Sequence, residues 1–185
     1  MERLCSSQIL ILKKPYYSIF TITPLKEFGK NYPEFALKPK EALEKLLQEK
    51  NGQVAGAAFR DDLGGIDFVW GTPNTKDSSG YGLAHILEKR EKQYKKLGLT
   101  SEQAEERTNE LLKRIPEVIE KGIKDDDYIG HVTIRYNDIE VGFSQKGNTP
   151  LKNHYMITSF EKDEKVLREL ETNGTLSNDY RDGGL

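Results

Sequence analysis

Residues 131–144, HVTIRYNDIEVGFS, decide the fold of this 185-residue chain. Two runs of alternating apolar and polar residues flank Asn137 and Asp138, residue types that tolerate the left-handed backbone of a tight turn. Pairing the runs across this turn places Val132 opposite Phe143 and puts all the apolar side chains on one face. The apolar set is Val132, Ile134, Tyr136, Ile139, Val141 and Phe143, and the opposite face carries His131, Thr133, Arg135, Glu140, Gly142 and Ser144. The stretch therefore predicts an antiparallel hairpin with one buried face and one polar face.

Helical patterns precede this hairpin, and one more strand pattern follows it. Pro39 suits the start of a helix, and Thr100 followed by Gln103 forms a capping-box pattern at the start of another. The predicted order is a helix from Pro39 to Gly52, a hairpin over residues 52–71, a helix over 82–96, a helix from Thr100 to Arg114, a short helix from Pro116 to Gly122, the hairpin of residues 131–144 and a last strand over 154–160. N-terminal helices and a hairpin, followed by an antiparallel β-meander, indicate an α+β domain.

Length and composition bound the organisation of the chain. With 36% hydrophobic and 31% charged residues, 185 residues most simply form one domain. We expect this domain over residues 25–161, an N-terminal extension or junction over residues 1–24, and a short C-terminal helix with a frayed tail over residues 162–185. The aromatic N-terminal extension could also add an edge strand.

The same composition excludes several classes of protein. The formal net charge of −2 argues against broad electrostatic binding of nucleic acid. Cys5 is the only cysteine, so an internal disulfide and a cysteine-rich zinc site are excluded. No apolar run approaches the roughly 18 residues of a membrane helix, and none near the start is long enough for a secretion signal. We therefore expect a cytoplasmic protein, or one delivered into a target cell's cytoplasm by a signal-less route.

One of only three histidines, His85, lies in GYGLAHILEKR, residues 80–90. The helical pattern places it on a polar, solvent-facing side with Lys89, away from Leu83 and Ile86. A helix N-terminus attracts phosphate, and a histidine there can exchange protons near neutral pH. Two interpretations stay open at this point. His85 is either the general acid/base of an active site or a histidine on a solvated basic face.

Three segments together resemble a known family: GQVAGAAFRDDLGGIDFVWG at 52–71, GYGLAHILEKR at 80–90 and HYMITSFE at 154–161. The family consists of endoribonuclease domains from bacterial and phage-related mobile elements, within the barnase–EndoU–colicin–RelE-like superfamily. The resemblance spans residues 25–161. It implies helices followed by a four-stranded antiparallel meander, and metal-independent cleavage of RNA that leaves a 2′,3′-cyclic phosphate.

The resemblance also implies the site. It assigns catalytic roles to His85 on the early helix, Arg135 on a middle strand and Thr158 on the last strand, and it gives Tyr155 a stacking role toward an RNA base. His131 shares the polar face of Arg135 and is therefore the alternative acid/base. The alternative for Arg135 itself is a surface ion pair with Glu140 across the hairpin.

Other polar residues are weaker candidates. Arg60 could hold a phosphate or cap the hairpin, and Lys89 and Lys146 could be phosphate ligands or solvated lysines. His154 is expected to be structural. The run of Asp125, Asp126 and Asp127 lacks the spaced partners of a metal motif and is predicted to be a solvated turn. No metal or cofactor is expected.

The expected partners are RNA and a neutralising immunity or antitoxin protein, with no membrane. Two other functions stay open. One is a catalytically inactive RNA- or protein-binding module on the same fold. The other is a nucleotide-directed toxin of another class, such as a transferase, although the chain has no nucleotide-binding signature.

Overall fold

The computed structural model describes residues 8–12, 17–21, 24–128, 130–145 and 153–173. These ranges form an α+β structure, as the sequence predicts. The helices are α1 (Pro39–Glu49), α2 (Gly82–Lys96), α3 (Ser101–Lys121) and α4 (Asp163–Thr172), and the strands are β1 (Gln8–Leu12), β2 (Tyr17–Thr21), β3 (Gln53–Arg60), β4 (Gly64–Val69), β5 (Ile123–Tyr128), β6 (His131–Tyr136), β7 (Ile139–Ser144) and β8 (His154–Glu161). Within these ranges, no helix is long and apolar enough to cross a membrane.

Strands β3 to β8 form one six-stranded sheet in the order β3-β4-β8-β7-β6-β5. Strand β8 lies antiparallel to β7 and parallel to β4, so it joins the early hairpin to the later meander. The sheet is therefore mixed, a feature that local patterns do not reveal. The β1–β2 pair forms a separate two-stranded sheet, so the expected edge strand is not part of the main sheet.

The register of the β6–β7 hairpin is confirmed. Val132 pairs with Phe143, and the turn residues Asn137 and Asp138 have φ values of 48° and 63°. Both values lie in the left-handed region that two-residue hairpin turns require. The apolar face is buried against α3 in the main core, which includes Ile134, Ile139, Val141, Phe143, Met156, Leu112, Ile115, Val118 and Ile119.

The predicted division between two helices at Arg114 and Pro116 is wrong. Residues 101–121 form one continuous helix with Pro116 inside it, rather than two helices divided at Arg114. An internal proline costs about 3 kcal/mol, but Ile115 and Ile119 on either side are both buried in the core, and their burial holds the helix together. The predicted capping box is confirmed, because Thr100 and Gln103 exchange hydrogen bonds of 3.2 and 2.9 Å.

The acidic run is also corrected. Residues 125–127 lie in β5, paired with β6, rather than in a turn. Strand pairing uses backbone groups, and β5 is the last strand of the sheet. Charged residues are common on such edges because they discourage pairing with other chains.

The C-terminal helix α4 packs on the domain through a second core. Val166 and Leu170 are buried with Tyr94 on α2. Nearby, the buried carboxylate of Glu161 accepts hydrogen bonds of 2.6 Å from Tyr94 Oη and from Arg107 Nε. Burial alone would raise the pKa of Glu161, but the hydrogen bonds from Arg107 and Tyr94 lower it. One carboxylate thus links β8, α2 and α3.

The face assignment of the hairpin predicts unequal effects of two substitutions. Phe143→Ala should lower the free energy of unfolding by about 3–5 kcal/mol, because it leaves a cavity in the core. Thr133→Val, on the opposite face, should change it by less than about 1 kcal/mol. Urea unfolding followed by circular dichroism measures both. Similar losses in the two variants would contradict the assignment.

Candidate active site

The polar face of the β6–β8 strands is turned away from α3, and we call it the open face. Paired residues in neighbouring strands point to the same side of a sheet, so the side chains form rows across β6, β7 and β8. The rows are His131–Ser144–Tyr155, Thr133–Gly142–Thr158 and Arg135–Glu140–Phe160. The sheet thus brings four of the predicted site residues to one surface: His131, Arg135, Tyr155 and Thr158.

A β-bulge makes this grouping possible. Tyr155 and Thr158 are three positions apart, so regular alternation would place them on opposite faces. The register between β7 and β8 shifts between Gly142 and Phe143, so one residue of β8 is extra and both site residues reach the open face. Ser159 then points inward and is fully buried.

Gly142 lets β8 pack closely over the middle of the open face. A Cβ atom there would lie 2.9 Å from Cγ2 of Thr158, closer than carbon atoms tolerate, and 3.6 Å from Cγ1 of Ile157. Thr133 and Thr158 flank the glycine on neighbouring strands, about 10 Å apart by ordinary strand spacing. The side chain of Thr158 therefore lies over Gly142, and this row presents two hydroxyl-bearing residues on the open face.

Helix α2 runs along β8, the strand that carries Tyr155 and Thr158. Near its start, Tyr81 contacts Tyr155 with ring centroids 5.8 Å apart. Further along, the guanidinium carbon of Arg90 lies 5.7 Å from the ring centroid of Phe160. His85 lies between these two contacts on α2, and Thr158 lies between them on β8. His85 and Thr158 therefore occupy the same interval along the packing of α2 on β8.

His85 is buried rather than solvent-facing, with only 6% of its surface exposed, so that expectation is wrong. A helical wheel compares only the residues of α2, so it cannot show which other segments of the chain bury His85. Its Nδ1 is shielded from solvent and has no hydrogen-bond partner within the described ranges. Burial, followed by the charges of Lys89 and Arg90, lowers the pKa of His85. The imidazole is therefore biased toward its neutral, proton-accepting form.

Aromatic rings gather beside the N-terminus of α2. The ring of Tyr155 lies 5.0 Å from that of Phe28, and Tyr81 lies 5.7 Å from Phe28. Phe28 is buried, whereas Tyr81 and Tyr155 are partly exposed. Such rings can stack on nucleic-acid bases, at about 1–3 kcal/mol per base. The position of Tyr155 suits the stacking role that the resemblance implies.

The two predicted arginines are already engaged. Arg135 pairs with Glu140, with 3.2 Å between Nε and Oε1, and also with Asp125. It lies on β6, two strands from β8, so the structure does not bring it beside His85. Arg60 pairs with Asp62 and donates from Nη1 to the carbonyl oxygens of residues 119 and 122. It therefore caps the turn of the hairpin and also the end of α3.

The remaining candidates are scattered. Lys89 is exposed on α2, one turn after His85. His131 begins β6 on the open face, and His154 begins β8 on the opposite side from Tyr155. Lys146 lies outside the described residues.

Two further residues belong to the site region, and the sequence analysis missed both. In the sequence, Arg90 is one of several cations on a basic helix. Only its contact with Phe160 in the structure distinguishes it from the others. Asp67 pairs in register with Tyr155 and is 4% exposed. Its Oδ1 accepts hydrogen bonds of 2.7 Å from the backbone of Gly56 and 2.8 Å from Asn153. A lone carboxylate in an otherwise apolar strand was the signal that could have found it.

The described residues form an α+β domain with helices packed on one side of a mixed sheet, and with hydroxyl, aromatic and histidine side chains on its open face. Residues 57–166 match the family described as phage-Barnase-EndoU-ColicinE5/D-RelE like nuclease1, and the chain belongs to this family. Neither a curated protein nor a solved structure matched the chain. The family implies nucleic acid as the class of substrate. Within the described ranges, no group of three His, Cys, Asp or Glu side chains could hold a metal ion.

The surroundings of His85 predict its titration. Its pKa should lie below 6.5, because burial and two neighbouring cations disfavour the imidazolium. Lys89→Gln should raise the pKa of His85, since it removes one of these cations. Lys96→Gln, on the exposed far end of α2, is the matched control and should leave it unchanged. NMR titration of the histidine ring protons measures all three, and a wild-type value above 6.5 would contradict the assignment.

Asp67 predicts a pH-dependent loss of stability. Burial raises its pKa from 3.8 to about 6, against the lowering effect of the hydrogen bonds from Gly56 and Asn153. A carboxyl whose pKa is higher in the folded state stabilises most below its unfolded pKa, and this contribution is lost as pH rises through 6. Between pH 4 and pH 7, the unfolding free energy of wild type should fall by about 2–3 kcal/mol relative to Asp67→Asn. Urea unfolding of both proteins at each pH measures the difference, and a constant difference would contradict the shift.

Proposed function

We propose that this chain is a toxin-like endoribonuclease that cleaves RNA without a metal ion. The observation that carries this proposal is His85: a histidine biased toward its neutral form, on the part of α2 between the contacts with Tyr155 and Phe160, in a nuclease-family domain. A neutral imidazole is suited to accept a proton from a sugar hydroxyl.

The reaction is an internal transesterification. His85 accepts the proton of a ribose 2′-OH as the 2′-oxygen forms a bond to the adjacent phosphorus. The bond between phosphorus and the 5′-oxygen breaks, and an acid protonates the leaving oxygen. His131, which begins β6 on the open face, is the candidate acid. The products are a 2′,3′-cyclic phosphate and a 5′-hydroxyl.

Two residues of β8 supply binding. The Thr158 hydroxyl can donate a hydrogen bond to a phosphoryl oxygen, and Tyr155 can stack on a base next to the cleaved bond. Because the 2′-OH is the nucleophile, DNA is not cleaved. A neutralising immunity or antitoxin protein and a cytoplasmic site of action complete the proposal.

One observation favours the second candidate, an inactive binding module on the same fold. Arg135, the cation to which the resemblance gives a catalytic role, is held by Glu140 and Asp125. An arginine with two anionic partners is a weaker ligand for phosphate. The binding module requires RNA or protein binding without any cleavage.

The proposal predicts RNA cleavage that survives EDTA. Incubation of the full chain with total tRNA and rRNA should yield 2′,3′-cyclic phosphate ends, and DNA of the same length should stay intact. His85→Gln should lower the cleavage rate by about 10²–10⁴-fold, the usual contribution of general acid–base catalysis. His131→Gln, run in parallel, tests the candidate acid.

Thermal melting of each preparation separates chemistry from folding. Glutamine is polar and similar in size to histidine, and Nδ1 of His85 has no hydrogen bond to lose, so His85→Gln should melt close to wild type. Cleavage that requires a divalent ion, or a folded His85→Gln variant as active as wild type, would overturn the mechanism. RNA binding without cleavage in wild type would favour the binding module.

A further inference from the structure

Arg90 is a cation that forms no ion pair within the described part of the chain. It is partly buried on α2, its Nε is shielded from solvent without a partner, and it makes no hydrogen bond or ion pair within the described ranges. Arginines removed from water are ordinarily paired, because an isolated buried charge is costly. An external anion is the partner that this environment lacks.

The neighbouring carboxylates are already engaged. Asp163 and Glu161 act on Arg90 through space, but neither forms an ion pair with it. Glu161 is bound by Arg107 and Tyr94, and Asp163 accepts a hydrogen bond from Gln93. The acids that could neutralise Arg90 therefore serve other contacts.

The guanidinium of Arg90 is also held in place. It lies 5.7 Å from the ring centroid of Phe160, a residue of the open face in the row of Glu140. A cation over an aromatic face is attracted to it, and the ring limits the positions that the guanidinium can take. The charge is fixed before any ligand binds, which is the condition for effective electrostatic stabilisation.

Arg90 follows His85 on α2, the helix that packs along β8, and its guanidinium lies against Phe160, two residues after Thr158. A guanidinium presents five N–H donors in a planar fork that matches two phosphate oxygens. We propose that Arg90 is the phosphate-binding cation of this site, in the role that the resemblance implied for Arg135. This inference rests on the proposed function and assigns the cation that binds the phosphate in the proposed reaction.

Inorganic phosphate tests the binding site without an activity assay. In NMR spectra of the full chain, the Nε–Hε signal of Arg90 should shift saturably as phosphate is added. Arg90→Gln should weaken phosphate binding at least tenfold, and Arg90→Lys should bind more weakly than wild type but better than Gln. Arg114→Gln on α3 removes the same charge elsewhere and should bind as wild type does. Equal binding by Arg90→Gln and wild type would overturn the inference.

Two further measurements separate the possible outcomes. Arg90→Met should melt no lower than wild type, because it removes an uncompensated charge and keeps the aliphatic packing; a large drop would mean that Arg90 is structural. Arg90→Gln should lower RNA cleavage by about 10²–10³-fold. Wild-type cleavage with a fully active Arg90→Gln variant would overturn the role of Arg90 and leave the proposed function standing. Phosphate binding through Arg90 without any cleavage by wild type would do the reverse.

Discussion

The two-residue turn at Asn137 and Asp138 fixes the register on which both the core and the open face depend. A slip of one residue in β6 would exchange its buried and exposed side chains. Ile134 would leave the core that it shares with α3, and the row of Thr133, Gly142 and Thr158 would no longer exist. The energy of core packing therefore also positions the candidate site, because both follow from one pairing.

Local patterns predicted the parts of the fold that depend on neighbours in sequence. The β6–β7 register, the bounds of α2 and the capping box at Thr100 all follow from residues within a few positions of each other. The parallel pairing of β8 with β4 and the continuity of α3 through Pro116 depend on contacts between distant segments. No local pattern encodes these contacts, so they could not be predicted.

The candidate site was likewise predicted only in part from local patterns. The polar face of the hairpin followed from alternation, and the resemblance named Thr158 and Tyr155, but strict alternation cannot place both on one side. The bulge in β8 resolves this conflict, and a bulge is a pairing feature with no clear mark in this sequence. The burial of His85 was missed for a related reason. A helical wheel sorts residues around α2 but does not show which other segments of the chain bury its polar side.

The contacts of Glu161 explain why Arg90 has no ion-pair partner among the described residues. The carboxylate of Glu161 binds Arg107, Tyr94 and Lys165, at the point where β8 meets α2, α3 and α4. Because Glu161 is engaged by these residues, Arg90, which lies one helical turn before Tyr94, forms no ion pair among the described residues. The same cation helps to keep His85 neutral. An anion bound at Arg90 would reduce the repulsion that disfavours the protonated imidazole, so binding of a phosphate there would make His85 a stronger base at the moment when a proton must be accepted.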